Sequence, residues 1–371
     1  MQPPPVVLIR PEDRRTALRA AAARQAAEAL RIDAQAADAA GRHEDAVTLL
    51  RQAAEAGDAP AMSFLGARLL IGRAAPLEPR EGLRLLQRAA EQDEADAHAL
   101  LAALKAAAAA TAAQQAIALD HLERGADLGS ALAQGQLQLL GGRVSPDGTP
   151  GAWGRMRRAI DWTAWTRPPP KRVLSESPRL RAADGLLTPA VCDWLVARAQ
   201  LRLQPSRGDD AASGAASQGR LRRPRIVEFD VVNTDVVLAL VRARMAAATR
   251  LPTPAMELTQ VLHYEVGQQS GPHFDFLDPD VEVQAIDAAA HGQRIATVLV
   301  YLNDDYEGGE TVFPALGLRH RGRKGDALYF ANIDLDNQPD RRTLHAEAAP
   351  TAGETWLLSQ RIRDRVAVPA R

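Results

Sequence analysis

Between residues 12 and 140, apolar positions recur at helical spacing and are carried almost entirely by alanine and leucine, with few prolines, glycines or β-branched residues. That composition predicts packed helices rather than strands. The pattern also repeats. The segments "LLRQAAEAGDAPAMSFL" (49–65), "LLQRAAEQDEADAHALL" (85–101) and "HLERGADLGSALAQGQL" (121–137) superimpose at a spacing of 36 residues. Leu50, Leu86 and Leu122 fall in register, as do Ala54, Ala90 and Ala126, then Ala61, Ala97 and Ala133, then Leu65, Leu101 and Leu137. A fixed period of this size predicts a solenoid, in which each helical pair buries its apolar face against its neighbours.

The helical pattern stops at "GGRVSPDGTPGAWGR" (141–155) and "TRPPPKR" (166–172), which are too rich in glycine and proline to propagate a helix. A linker is expected over 146–177, with Trp153, Trp162 and Trp165 pinning it to one or both domains. After Pro178, "LTPAVCDWLVARAQ" (187–200) predicts a helix capped by Thr188 with Pro189 in its first turn, and "NTDVVLALVRARMAAATR" (233–250) a second. Between them, residues 204–220 read as a mobile loop of the kind that forms lids.

From Glu257 onward short β-rich runs are punctuated by turn residues. "ELTQVLHYEV", "RIATVLVYL", "GETVFP", "DALYFAN", "TLHAEA" and "ETWLLSQRI" read as strands, and Gly308-Gly309 and Gly325-Asp326 supply turns. Several short strands at this spacing predict a barrel or sandwich. The expected organisation is multidomain α + β: an N-terminal α-solenoid over 1–145, the linker, and a β-barrel with supporting helices over 178–371.

Composition narrows the partners. The 371 residues carry 45 basic and 46 acidic side chains, so no global positive field draws the chain to nucleic acid or an anionic membrane. The basic runs "RLRRPR" (220–225) and "RHRGRK" (319–324) do not alternate with stacking aromatics and read as solvated turns or edges. Cys192 is the single cysteine, which rules out an intrachain disulfide or a thiolate-rich zinc site and fits a reducing cytoplasm. The start, "MQPPPVVLIRPEDRR", has too short an apolar run for a signal peptide, and no stretch approaches the roughly 20 apolar residues of a membrane span.

The candidate chemistry lies in "GPHFDF" (271–276). On an extended strand His273 and Asp275 share a face. His345 in "RRTLHAEAAP", at another strand end, is the candidate third ligand. Two imidazoles and one carboxylate with open positions form the facial triad that holds non-haem Fe(II).

Two resemblances extend this reading. The front half resembles the Sel1-like branch of the tetratricopeptide repeats, with "DAAGRHEDAVTLLRQAAEAG" (38–57) as the most family-like unit, which implies a surface for a protein or peptide partner. The back half resembles the iron(II)/2-oxoglutarate-dependent oxygenases of the prolyl 4-hydroxylase-like branch. "VLHYEVGQQSGPHFDF", "QRIATVLVYLNDDYEGGETVFP", "RKGDALYFAN" and "TLHAEAAPTAGETW" follow that family's double-stranded β-helix, a jelly-roll, segment by segment. The resemblance implies Fe(II) on His273, Asp275 and His345, with 2-oxoglutarate and O2 as co-substrates and ascorbate as an accessory. It matches Tyr264 to a tyrosine that hydrogen-bonds 2-oxoglutarate, and places Thr297 and Tyr301 on the co-substrate pocket. The implied reaction is hydroxylation of an unactivated C–H bond of a protein or peptide residue, or of a small molecule.

Three positions depart from the family. Thr355 in "GETW" stands where a basic residue pairs with the distal carboxylate of 2-oxoglutarate. Arg361, six residues on, would face the same side, but six residues of strand rise about 20 Å, too far for it to replace that cation; Arg294 is another candidate. Ser270 and Arg361 replace family aromatics on the substrate side, which weakens peptidyl proline as the substrate. A repeat-based binding scaffold with a degenerate 2-oxoglutarate site is the alternative that these departures raise.

Overall fold

The computed structural model describes residues 11–142, 149, 151–203 and 224–366. The loop expected over 204–220 and most of the adjoining basic run lie outside the described residues. The chain divides into two compact units, Met1–Ile160 with Val231–Asp235, and Asp161–Asp230 with Val236–Arg371.

The first unit is helical: α1 (Pro11–Ala39), α2 (His43–Glu55), α3 (Ala59–Ile71), α4 (Pro79–Glu91), α5 (Ala95–Ala107), α6 (Ala112–Asp127), α7 (Ala131–Leu140) and α8 (Ala152–Ala159). The 36-residue period becomes three helical pairs, α2/α3, α4/α5 and α6/α7. All twelve residues of the four registered columns are buried, so the sequence period is the period of the core. The caps share it. Asp58, Glu94 and Ser130, 36 residues apart, each accept from the backbone N–H three residues on and so satisfy an otherwise orphaned donor at the start of α3, α5 and α7. Glycine sets the approach of α3 to α4: a Cβ on Gly82 would lie 2.6 Å from the Gly66 carbonyl oxygen.

The second unit opens with α9 (Trp162–Thr166), β1 (Arg172–Ser175), β2 (Leu180–Ala183), α10 (Pro189–Gln200), β3 (Arg225–Phe229) and α11 (Val236–Thr249). There follow β4 (Thr259–Tyr264), β5 (Ser270–His273), α12 (Glu282–His291), β6 (Arg294–Tyr301), β7 (Glu307–Gly308), β8 (Thr311–Phe313) and β9 (Leu318–His320). β10 (Ala327–Ala331), β11 (His345–Glu347), β12 (Pro350–Ala352) and β13 (Thr355–Arg363) complete it. A seven-stranded sheet in the order β1-β2-β10-β6-β13-β4-β3 is accompanied by a four-stranded sheet β5-β11-β8-β9 and the short pair β12-β7. This is the double-stranded β-helix that the resemblance implied.

Each of the six expected strands is present, and Thr188 caps α10 through the Val191 N–H. One boundary falls between Ile160 and Asp161: α8 lies in the first unit, and α9 and β1 lie in the second. The apolar face of α8, with buried Ala152 and Met156, gives it a core to join despite the flanking glycines and prolines.

Between the sheets, Leu180, Leu262, Tyr264, Leu299, Tyr301, Phe313, Leu328, Phe330 and Leu357 form one buried cluster.

Candidate metal centre

The minor sheet makes the site. β5 and β11 run antiparallel with His273 directly opposite His345, so two residues 72 positions apart become a cross-strand pair with ring centroids 4.4 Å apart. Asp275 follows His273 by two and turns inward just past the end of β5. One ligand atom from each of the three residues lies within 4.8 Å of the other two. His273 Nε2 is 4.0 Å and His345 Nε2 3.8 Å from the Asp275 carboxylate.

Backbone geometry fixes which nitrogens are free. His273 Nδ1–H donates to the Gly271 carbonyl at 2.9 Å, and His345 Nδ1–H donates to the Thr343 carbonyl at 3.0 Å. Each ring therefore presents the unprotonated Nε2 lone pair toward the carboxylate, the tautomer that metal ligation requires. Phe313 stacks on His345 and Phe330 meets its ring edge-on, at centroid distances of 5.5 and 4.9 Å, which restricts ring rotation and keeps water from that side.

The major sheet holds Asp275. Thr297 on β6 and Arg361 on β13 are register partners, and both reach the same carboxylate. Thr297 Oγ1 donates to Oδ2 at 2.8 Å and Arg361 Nε donates to Oδ1 at 2.8 Å. Asn332, two residues before the Asp334 turn, donates to Thr297 Oγ1 at 3.1 Å and orients its hydroxyl. Burial by itself raises the Asp275 carboxyl, but the charge of the Arg361 guanidinium and its hydrogen bond oppose that, and the carboxyl is held well below the usual carboxylate range. Asp275 is thus an anion in a buried place, ready for a cation.

At the other end of the same strands Thr355 pairs with Tyr264. The Tyr264 hydroxyl meets Ser270 Oγ at 3.0 Å, and the Thr355 hydroxyl is buried with no partner. The Tyr301 hydroxyl is shared between Thr311 Oγ1 at 3.0 Å and His320; burial pushes both tyrosines far up. Arg294 points elsewhere, forked onto Glu257 at 2.7 and 3.0 Å. Around Thr355 and Tyr264 the contacts among the described residues are hydroxyls, with no guanidinium or ammonium among them, and Arg361 is engaged by Asp275 and Gln260 instead.

Two further residues shape the site. Asn332 has no spacing signal in the sequence. Glu347 does: it stands two residues after His345, in the same relation as Asp275 to His273, and is buried on the same face with Oε1 3.8 Å from His345 Nε2.

The donor set fits a divalent metal of borderline character, with two imidazole lone pairs and a pre-ionised carboxylate on one side and open space on the other. A dicarboxylate co-substrate fits less well, because the described contacts around Thr355 offer a partnerless hydroxyl and no cation.

The model of the 2OG-Fe(II) oxygenase superfamily matches residues 259–362, which span every element of this site. Prolyl 4-hydroxylase 1 of Arabidopsis thaliana is 32% identical over 207 residues, covering 52% of this chain and 71% of that protein. A probable prolyl 4-hydroxylase 6 of the same plant is 35% identical over 217 residues, covering 53% and 73%. Among solved structures, the viral collagen prolyl hydroxylase of Paramecium Bursaria Chlorella virus-1 is 26% identical and covers 50% of this chain and 94% of its own, with a TM-score of 0.39.

Proposed function

Because this chain belongs to the 2OG-Fe(II) oxygenase superfamily, among relatives of the prolyl 4-hydroxylases, we propose that His273, Asp275 and His345 are the residues that hold its Fe(II). The observation that carries this is the pair of Nε2 lone pairs aimed at one buried carboxylate, each tautomer fixed by a backbone carbonyl. The chain is an iron- and 2-oxoglutarate-dependent dioxygenase by family, and the bound metal with its 2-oxo acid supplies the oxidation of an unactivated C–H bond by O2.

The protein's own part is positional. Thr297 and Arg361 fix the Asp275 carboxylate, Asn332 fixes Thr297, and Phe313 and Phe330 exclude water beside His345. The half-exposed face of His273 is where a substrate approaches. We read that substrate as a residue of a protein or peptide, since the relatives named above are prolyl 4-hydroxylases, and the helical repeats as the surface that recruits it. Ascorbate as an accessory and a cytoplasmic setting belong to the same reading; the free, buried Cys192 agrees with a reducing compartment. No helix among the described residues is long and apolar enough to cross a membrane.

The test has two readouts. Co(II) should bind with the visible absorption of an imidazole-carboxylate site, and succinate should form from 2-oxoglutarate only with Fe(II); both should vanish in His273→Ala. Equal metal binding and equal succinate in wild type and variant reject the assignment. Thr355 favours a second reading, a barrel that keeps the metal but turns over slowly while the repeats do the work. Full metal binding with no succinate at any 2-oxoglutarate concentration would select it.

A further inference from the structure

The helical unit breaks its own period at one position. Arg68 on α3 stands where α5 and α7, 36 and 72 residues on, carry Leu104 and Leu140. Leu140 is buried and Leu104 packs against the core, so a guanidinium in this column needs a reason that packing does not supply. Its Nη2 donates to Asp38 near the end of α1, and Asp38 also accepts from His43 Nδ1 at 3.0 Å. Its Nη1 is buried with no acceptor. Arg68 lines a cavity of about 300 Å³ together with Asp38 of α1, Leu50 of α2, and Phe64, Ala67 and Ile71 of α3. Apolar walls, this volume and one unfilled donor are the anatomy of a ligand site. Phe64 is 48% exposed and lies one turn before Arg68 on the same face of α3. An exposed aromatic beside an arginine is the pairing enriched where proteins bind proteins.

Charge narrows the occupant. The Arg68–Asp38 pair is already neutral, so an incoming carboxylate would lie close to Asp38 where little water screens the two. An uncharged acceptor meets no such penalty. An amide carbonyl adjoining an apolar side chain is the repeating feature of a polypeptide, and one residue of it supplies both groups.

We propose that this cavity is a docking site for an apolar residue of a polypeptide partner, whose side chain enters between Leu50, Phe64 and Ile71 while its main-chain carbonyl accepts from Arg68 Nη1. This rests on the reading of the helical repeats as a recruiting surface, and assigns recruitment to the first helical pair.

The experiment titrates the whole chain with N-acetyl-L-leucine N-methylamide and follows NMR shifts across the helical repeats, at the Phe64 ring and the Arg68 guanidinium above all. N-acetylglycine N-methylamide, which lacks the side chain, and N-acetyl-L-leucine, whose carboxylate is charged, serve as comparisons. Wild type should show saturable shifts at Phe64 and Arg68 with the leucine amide and bind both comparisons more weakly. Phe64→Ala removes an exposed side chain, and Arg68→Leu installs the residue that α5 and α7 carry. Each should weaken the leucine amide about fivefold or more, the size of one effective interface contact. Unchanged affinity in either variant overturns the proposal, and if Arg68→Leu fails to fold, Phe64→Ala decides it. The free acid bound as tightly as the amide overturns it in favour of a small anionic ligand. Shifts that saturate elsewhere on the repeats but not at Phe64 or Arg68 overturn this site and leave the repeats as a recruiting surface; no saturable shift on any repeat overturns both.

Discussion

Arg361 donates through Nε to Oδ1 of Asp275 at 2.8 Å, which makes a guanidinium the direct neighbour of the carboxylate on which the metal site depends. In the metal-free protein this is a buried ion pair. Its partner Thr297 approaches the other oxygen from the adjacent strand, so the carboxylate is clamped from both sides.

Removing the guanidinium should therefore cost most when no metal is present. Arg361→Gln leaves an unpaired buried carboxylate, for which about 3–5 kcal/mol is typical. Thermal unfolding should show a large drop in the metal-free protein and a smaller one with saturating Co(II), because the metal then supplies the missing positive charge. Equal drops in the two forms would show that Arg361 does not act through Asp275.

Thr297→Val keeps the shape of the side chain and deletes one hydrogen bond to Asp275. Outer hydrogen bonds of this kind typically change metal affinity by about 10–100-fold, so Co(II) affinity by absorption titration should weaken by about tenfold or more. Asn332→Leu should move it in the same direction by less, since Asn332 acts through Thr297.

Acid should loosen the helical unit through one histidine pair. His98 Nε2–H donates to the Ala90 carbonyl at 3.1 Å, so His98 Nδ1 accepts from His121 Nδ1–H at 3.0 Å. Burial first, then the charges of His98 and Lys105, push His121 down to about 4 despite Asp120. Arg124 opposes and Asp93 and Glu94 favour protonation of His98. The unfolded imidazole titrates near 6.5, so the contribution is complete above that value and is lost as pH falls toward about 4. After allowance for partial exposure it is about 1–2 kcal/mol. Melting curves between pH 7 and 4.5 should fall less steeply in His121→Gln than in wild type.

Gly82→Ala tests the helix contact. The new Cβ would meet the Gly66 oxygen at 2.6 Å and the Leu70 nitrogen at 3.0 Å, both backbone atoms, so α4 must move away from α3. Overpacking of this kind costs about 1–3 kcal/mol, visible as a lower melting temperature. Co(II) binding at the barrel should be unchanged, and a change there would contradict a local effect.

Much of the fold is legible because its periods are strong. The 36-residue columns predicted which alanines and leucines would be buried, and the caps at Asp58, Glu94 and Ser130 carry the same period in plain sight. Less legible were the short elements: β1, β2 and β3 have four or five residues each and are held by neighbours remote in sequence, so local propensity says little about them. Proline and glycine likewise mark where a helix ends but not which core its neighbours join, and α8, flanked by both, falls in the first compact unit.

His273-x-Asp275 could be read from the chain, because strand geometry alone puts those two side chains on one face. Glu347 could be read in the same way from its place after His345. What residue order could not decide is who meets whom across the barrel. Pairing of β5 with β11 brings His345 opposite His273, and pairing of β6 with β13 sends Thr297 and Arg361 to one carboxylate while Thr355 stays at the far end beside Tyr264. The sequence determined the local period and the donor types; the long-range register, fixed only when both sheets bury their inner faces together, decided which charges share the interior.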